Sequence, residues 1–299
     1  MPDVAAAELS VSAPGGRTLQ VLVSGPASGM PLLFHDGTPS GCVAFGPLVQ
    51  AAADRGLRLV QYARPGYSQS TPDPGRSVAS VAADAAAIMD ALGAEQFVTA
   101  GWSGGGPHAL ACSALLPGRC LGVASIAGVA PLSADGLDWL AGMAAENVTE
   151  FGAALAGEEE LAAFLTAAAA ELREVTPEQV AEILGGLVSP VDISVITGEF
   201  AAYLAATFAA AVSTGIAGWR DDDLAFTRDW GFSLADVGPA VVWQGDQDMM
   251  VPFAHGQWLA AHLPGARVRL LPGEGHLSIG VSRFGGIADD LLSLAGVSQ

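Results

Sequence analysis

Short apolar runs alternate with Ala-rich helical stretches at both ends of this chain, and the alternation stops in the middle. Residues 19–23, 32–35, 57–62, 97–100 and 121–126 read as strands, with helices expected over 43–54, 78–92 and 107–116. After Pro239 the rhythm resumes, with strands at 240–243 and 268–271 and helices at 253–263 and 287–294. Apolar strands separated by helices imply βαβ units and a mostly parallel sheet buried on both faces, flanked by helices. Between the two blocks, helical segments at 161–175, 177–187 and 199–212 follow one another with no clear strand. Thr176 and Pro177 read as an N-cap and first helical position. The simplest arrangement is one α/β core, residues 1–130 and 237–299, interrupted by a helical insertion over 131–236.

Composition narrows the function classes. With 51% apolar and 14% charged residues over 299 positions, the chain can bury a large core, which excludes intrinsic disorder. Twelve basic residues against 31 acidic ones give 12 − 31 = −19, which argues against nucleic acid and anionic membrane surfaces as partners. Every basic residue is Arg, so a lysine Schiff base, a phosphate-loop lysine and a Ser-x-x-Lys pair are excluded. The first ten residues carry Asp3 and Glu8 and no basic residue, unlike a signal peptide. Cys42, Cys112 and Cys120 are an odd set without paired spacing, as expected of reduced, buried thiols in a cytoplasmic protein. No ordered Cys-His pattern marks Cys42 as a nucleophile. Residues 200–219 are uncharged and long enough to span a bilayer, but Ala, Thr207, Ser213 and Gly215 make the stretch only weakly apolar, so a buried helix is expected. No His-x-x-x-His or paired-Cys spacing points to a metal, and no cofactor is expected. Asp221, Asp222 and Asp223 read as a solvated loop, and Glu274 as a solvated loop carboxylate.

The strongest local signal is Gly101-Trp102-Ser103-Gly104-Gly105, after a strand and before a helix. A serine exposed on so tight a turn has strained backbone angles, and side chains two positions before or after it would clash. The turn also brings Ser103 to a helix N-terminus, where backbone N–H groups can meet a developing oxyanion. The overlapping Gly104-x-Gly106-x-x-Ala109 fits a dinucleotide fingerprint. However, the next strand ends Ser125-Ile126-Ala127-Gly128, with no acid to hold a ribose.

A serine nucleophile needs a base, and the base an orienting acid. His276 lies in a loop directly after the last strand, where it can reach over the carboxyl edge of the sheet. His108 falls within the helix after Ser103 and is expected to pack there, while His255 and His262 read as surface or capping residues. The acid should follow the strand at 240–243, with Asp248 the better placed and Asp246 in reserve.

These motifs together resemble an α/β-hydrolase, whose order of nucleophile, acid and histidine is matched by Ser103, Asp248 and His276. Gly245-x-x-Asp248 before Val251-Pro252 is similar to the family's acid turn, and Gly275-His276 to its histidine loop. His35-Asp36-Gly37-Thr38-Pro39 resembles the oxyanion loop, with Asp36 displacing the glycine by one place. The resemblance implies an oxyanion hole from Gly104 N–H and either Thr38 or Gly37. Arg64-Pro65-Gly66-Tyr67-Ser68 resembles the loop after the fourth strand, with Ala63 where the family commonly has Asp. The resemblance covers about residues 8–130 and 237–297, and the insertion would correspond to the family's cap.

The implied activity is hydrolysis of a small-molecule acyl substrate, a carboxylic ester, thioester or lactone, through an acyl-enzyme on Ser103. An aminopeptidase resembling proline iminopeptidases is the alternative and would need cap carboxylates, among Glu146, Glu150 and Glu158 to Glu160, for the substrate amine. A cyclising or other tailoring enzyme that keeps the triad, and a binding protein on the same scaffold, also stay open, as does association into a homodimer.

Overall fold

The Val-, Leu- and Phe-rich runs form strands because their branched and aromatic side chains fill a pleated surface covered on both faces. The computed structural model describes residues 6–297. Residues 1–5 and 298–299, including part of the start read as carrying no leader, lie outside the described residues. The strands are β1 (Ala7–Ala13), β2 (Arg17–Ser24), β3 (Met30–His35), β4 (Leu57–Tyr62), β5 (Phe97–Trp102), β6 (Cys120–Ile126), β7 (Ala240–Gly245) and β8 (Arg267–Leu271). They build one eight-stranded sheet of order β1-β2-β4-β3-β5-β6-β7-β8. β1 and β2 pair antiparallel, as do β2 and β4, and every other pairing is parallel.

Helices α1 (Gly46–Ala53), α2 (Val81–Ala91) and α3 (Gly105–Leu115) connect the early strands. Between β6 and β7 come α4 (Ala145–Ala156), α5 (Glu158–Arg173), α6 (Val180–Leu184), α7 (Pro190–Val195), α8 (Gly198–Ala211) and α9 (Ala217–Phe226), with no strand among them. Helices α10 (Phe253–His262), α11 (His276–Ser282) and α12 (Phe284–Leu294) follow β7 and β8. The core lies in two layers, one on each face of the sheet. Leu33, Val60 and Val98 on the central strands are wholly buried, and each such burial contributes about 1.5–3 kcal/mol. A third cluster joins the inserted helices, through Leu161, Leu165 and Trp219, to Tyr67 on the core side.

The chain order places the site. From β3 the chain moves outward to β4, then crosses back so that β5 pairs the other side of β3. The loops after β3 and β5 therefore diverge at a topological switch point, which opens a crevice at the carboxyl edge. The loop after β3 is held from the insertion, since Gly41 N donates to Thr207 O of α8 at 3.0 Å and Thr207 Oγ1 donates to Gly41 O at 3.1 Å.

Four local readings differ from the structure. β1 has no helix-separated, fully apolar signature because it is an edge strand with most of its residues exposed. Thr176 does not start a helix. It accepts from Gln179 N in a turn, and α6 begins only at Val180. Asp221, Asp222 and Asp223 are not a solvated loop but part of α9, each at most 3% exposed. The stretch 200–219 is α8, a turn and the start of α9, and among the described residues no helix is long and apolar enough to cross a membrane.

Candidate active site

Ser103 sits at the end of β5, where the backbone reverses into α3. Its φ of 56° is left-handed, a conformation that costs a non-glycine residue of order 1–3 kcal/mol and needs support from its surroundings. The support is backbone: Ser103 N donates to Ile126 O at 2.8 Å, and Ser103 O accepts from Gly106 N at 2.9 Å. The glycines two positions away are sterically required. A Cβ at Gly101 would lie 2.0 Å from Gly105 O, and one at Gly105 would lie 2.0 Å from His35 O.

The carboxylate of Asp248 is fixed in the loop after β7. Its Oδ1 accepts from Met250 N at 2.9 Å and Val251 N at 2.8 Å, and its Oδ2 accepts from Gln244 Nε2 at 2.9 Å. The same Oδ2 lies 2.8 Å from His276 Nδ1. Burial opposes the imidazolium, but the charge and hydrogen bond of Asp248, together with the charge of Asp192, outweigh it and leave the His276 pKa above the ordinary histidine value. Asp246 is exposed and instead accepts from Gly273 N at 2.8 Å, so the imidazole faces Asp248.

His276 does not ride on a free loop. It is the first residue of α11, and its N–H, with those of Leu277 and Ser278, donates to the Asp192 carboxylate at 3.1, 2.8 and 2.9 Å. Asp192 is itself wholly buried in α7 and accepts from Ser189 Oγ at 2.9 Å. Trp102 Nε1 donates to His276 O at 3.0 Å, which ties the histidine backbone to the residue beside Ser103.

Ser103, Gly104, Gly37, Thr38 and His276 line one cavity of about 440 Å³, and Asp248 stands behind the imidazole. Asp36 turns away from this cavity. Its buried carboxyl accepts from Tyr203 Oη at 3.2 Å and Gln61 Nε2 at 3.4 Å, and burial pushes its pKa up to about 7. Arg64 brackets the Gly37–Thr38 segment. It donates to Asp36 O, to Gly37 O at 2.8 Å and to Thr38 Oγ1 at 2.9 Å. Asp222 of α9 anchors that bracket. It accepts from Arg64 Nη2 at 2.7 Å, Arg76 Nη1 at 2.6 Å, Tyr67 Oη at 2.9 Å and Thr38 Oγ1 at 2.9 Å. Burial alone would raise the Asp222 pKa, but Arg64 and Arg76 more than reverse that and hold it well below the carboxylate range.

The remaining candidates are structural. His108 packs in α3 with Nε2 3.2 Å from Asp222 Oδ1, and burial pushes its pKa down to about 4. His255 is not a surface residue but wholly buried, accepting from Ala130 N and donating to Trp139 O at 2.9 Å. Glu274 is buried too and accepts from Ser278 Oγ at 2.6 Å and Arg283 Nε at 2.7 Å. All three thiols are buried and burial raises their pKa values, which leaves little thiolate for nucleophilic attack.

Asp192, Asp222 and Asp223 were missed by sequence reasoning. A signal for two of them existed: Trp219, Asp222, Asp223 and Phe226 stand at i, i+3, i+4 and i+7, the spacing of one buried helical stripe. Ser189-Pro190-Val191-Asp192 has capping-box spacing, but its bonds to the His276 backbone depend on tertiary structure.

A strained serine at a strand-to-helix turn, a carboxylate-paired imidazole lining the same cavity and a switch point between β3 and β5 are arranged as in an α/β-hydrolase fold. The chain belongs to the alpha/beta hydrolase fold family, whose model matches residues 30–281. Over 134 residues it is 31% identical to the non-heme chloroperoxidase of Streptomyces lividans, a match over 44% of this chain and 49% of that one. The chain thus spans about half the length of that curated relative. Among solved structures it is similar to a hydrolase from Pseudomonas aeruginosa (TM-score 0.70, 20% identity, covering 97% and 98% of the two chains). It is also similar to a bromoperoxidase from Bacillus anthracis (0.70, 20%, 97% and 100%) and an enol-lactonase from Burkholderia xenovorans (0.64, 18%, 96% and 100%). At these identities the structures share its fold.

Proposed function

We propose that this protein is a serine hydrolase that cleaves a carboxylic ester, thioester or lactone through an acyl-enzyme on Ser103. The observation that carries this reading is the 2.8 Å contact between His276 Nδ1 and Asp248 Oδ2, on an imidazole that shares its cavity with the strained Ser103. A carboxylate on Nδ1 fixes the tautomer with Nε2 free to accept a proton. His276 then takes the Ser103 proton as the hydroxyl attacks the acyl carbonyl, and Asp248 stabilises the imidazolium. The N–H groups of Gly104 and of Thr38 or Gly37 meet the oxyanion, on a loop that Arg64 and Asp222 hold in place. His276 returns the proton to the leaving group and activates the water that releases the acyl group. Residues 131–236 serve as a cap on the core segments 1–130 and 237–299 and supply most of the substrate-facing wall.

Labelling by a fluorophosphonate probe, together with a nitrophenyl ester series of graded chain length, tests the reading. Ser103→Ala should abolish labelling and lower kcat by about 10⁴ or more, as in other triads. A variant that keeps near-normal turnover removes Ser103 from the mechanism. A proline arylamide in the same panel separates ester from peptide chemistry.

A further inference from the structure

Two consecutive backbone N–H groups in the loop after β3 have nothing to bond to. Among the described residues, neither Gly37 N–H nor Thr38 N–H meets a protein acceptor. Both residues line the cavity. A Cβ at Gly37 would lie 3.4 Å from Ser103 Cβ and 3.9 Å from Ser103 Oγ. One at Gly104 would lie 2.4 Å from Thr38 Oγ1. The two N–H groups thus belong to residues packed against the serine and the residue that follows it.

The carbonyls of the same two peptide units both face one side chain. Arg64 Nη1 donates to Asp36 O, and Arg64 Nη2 donates to Gly37 O at 2.8 Å. Both units are trans. A trans peptide unit is planar, and its N–H points opposite to its C=O. With both carbonyls turned to the guanidinium, the N–H groups of Gly37 and Thr38 point away from it. Arg64 is 3% exposed and is not among the residues that line the cavity, so it stands behind the loop. The direction away from it leads to the cavity and Ser103. The guanidinium is held in turn, with Nε 3.0 Å from Asp222 Oδ2, a charge partner that lets it stay buried. Residue 36 is clamped from its side chain as well, since its carboxyl accepts from Tyr203 of α8 and Gln61 of β4.

We propose that Arg64 is a positioning residue for the reaction: by holding the carbonyls of Asp36 and Gly37 behind the loop, it turns the N–H groups of Gly37 and Thr38 together toward the acyl oxygen beside Ser103. This rests on the hydrolase reading above. Arg64 touches no reacting atom and acts through the two peptide planes. With Gly104 N–H, the oxyanion then meets three donors. The planar fork of arginine is what the task requires, because its donor directions are fixed relative to one another, whereas a lysine ammonium is a single point on a flexible stem.

The test uses Arg64→Lys, which keeps a positive charge opposite Asp222 and loses the fork. Loss of one oxyanion donor costs about 10²–10³ in kcat, so kcat on a nitrophenyl ester should fall by about 100-fold or more while KM changes by less than about threefold. An alkyl boronic acid gives a second readout. Its boron bonds to Ser103 Oγ, the serine proton passes to His276, and a boron hydroxyl takes the place of the oxyanion. Its affinity should fall by the same factor as kcat. The acid limb of the pH profile should keep its midpoint, because no bond of Arg64 reaches His276 or Asp248. A role confined to holding the fold together would instead lower the melting temperature, move KM along with kcat, and leave boronic acid affinity following KM. In the wild type, the boronic acid should shift the amide proton resonances of Gly37, Thr38 and Gly104 downfield together, a measurement that decides alone should the Lys variant fail to fold. A shift at only one of Gly37 and Thr38, or a Lys variant with near-normal kcat, overturns the role of Arg64 and leaves the hydrolase reading intact. A wild type with no ester turnover and no adduct on Ser103 overturns the hydrolase reading and the role of Arg64 with it.

Discussion

The chemistry of a single imidazole sets the pH behaviour of this site. His276 is buried, which disfavours its charged form, yet Asp248 at 2.8 Å, with the charge of Asp192, more than compensates. In the proposed mechanism His276 works as a base only when neutral, so activity should rise as pH climbs through its pKa. Because that pKa lies above the ordinary 6.5, the acid limb of kcat/KM should have its midpoint above 6.5. The same shift has a stability consequence of opposite sense. The His276–Asp248 interaction stabilises the fold fully below pH 6.5 and fades as pH rises through the raised pKa. Asp248→Asn removes the charge and leaves burial dominant, so the ring should titrate below 6.5 by NMR. Its kcat should fall by about 10⁴, as expected when the tautomer is lost. An Asn variant whose ring titrates at or above the wild-type position would show that Asp248 does not control the imidazole.

At the scale of elements, the inserted helices do more than cover the site. One carboxylate from α7 holds the first turn of α11, and one from α9 holds the loop after β3. Asp192→Ala leaves three backbone N–H groups at the start of α11 without their acceptor, costing about 1–2 kcal/mol in a urea melt. Because His276 is the residue held, kcat should drop about tenfold with a smaller change in KM, and Asp192→Asn should restore part of it. Equal loss in KM and kcat would assign Asp192 to substrate binding instead. This division of labour explains what the sequence could show. The parallel strands were legible because burial on both faces leaves unbroken apolar runs, and β4 matches the expected 57–62. The serine turn, the acid turn and the histidine after β8 were legible because each is a local pattern at a strand end. Edge strand β1 was not, since it buries little. Asp192, Asp222 and Asp223 were not either, because a buried carboxylate is recognised by its partners, and those lie up to 184 residues away in the chain.

At the scale of the whole molecule, charge bears on which substrates the proposed hydrolase would meet. A net charge of −19 surrounds a cavity whose lining includes Glu146, Glu150, Glu171 and Asp223 and no Arg. Low-dielectric walls focus such a field and change local ligand concentration by about 10–10³-fold. On the hydrolase reading, the sign should disfavour anionic esters at the stage of encounter, before any contact with Ser103. A nitrophenyl ester ending in a carboxylate should therefore show kcat/KM at least about tenfold below its methyl-ended partner at low salt. Screening shortens the field from roughly 30 Å at 0.01 M salt to about 3 Å at 1 M, so the gap should narrow as salt is added. The neutral ester should respond little over the same range, which separates field effects from salt effects on the fold. If the deficit of the anionic ester is unchanged by salt, the discrimination arises from contacts inside the cavity, and the field of the acidic surface plays no part in selection.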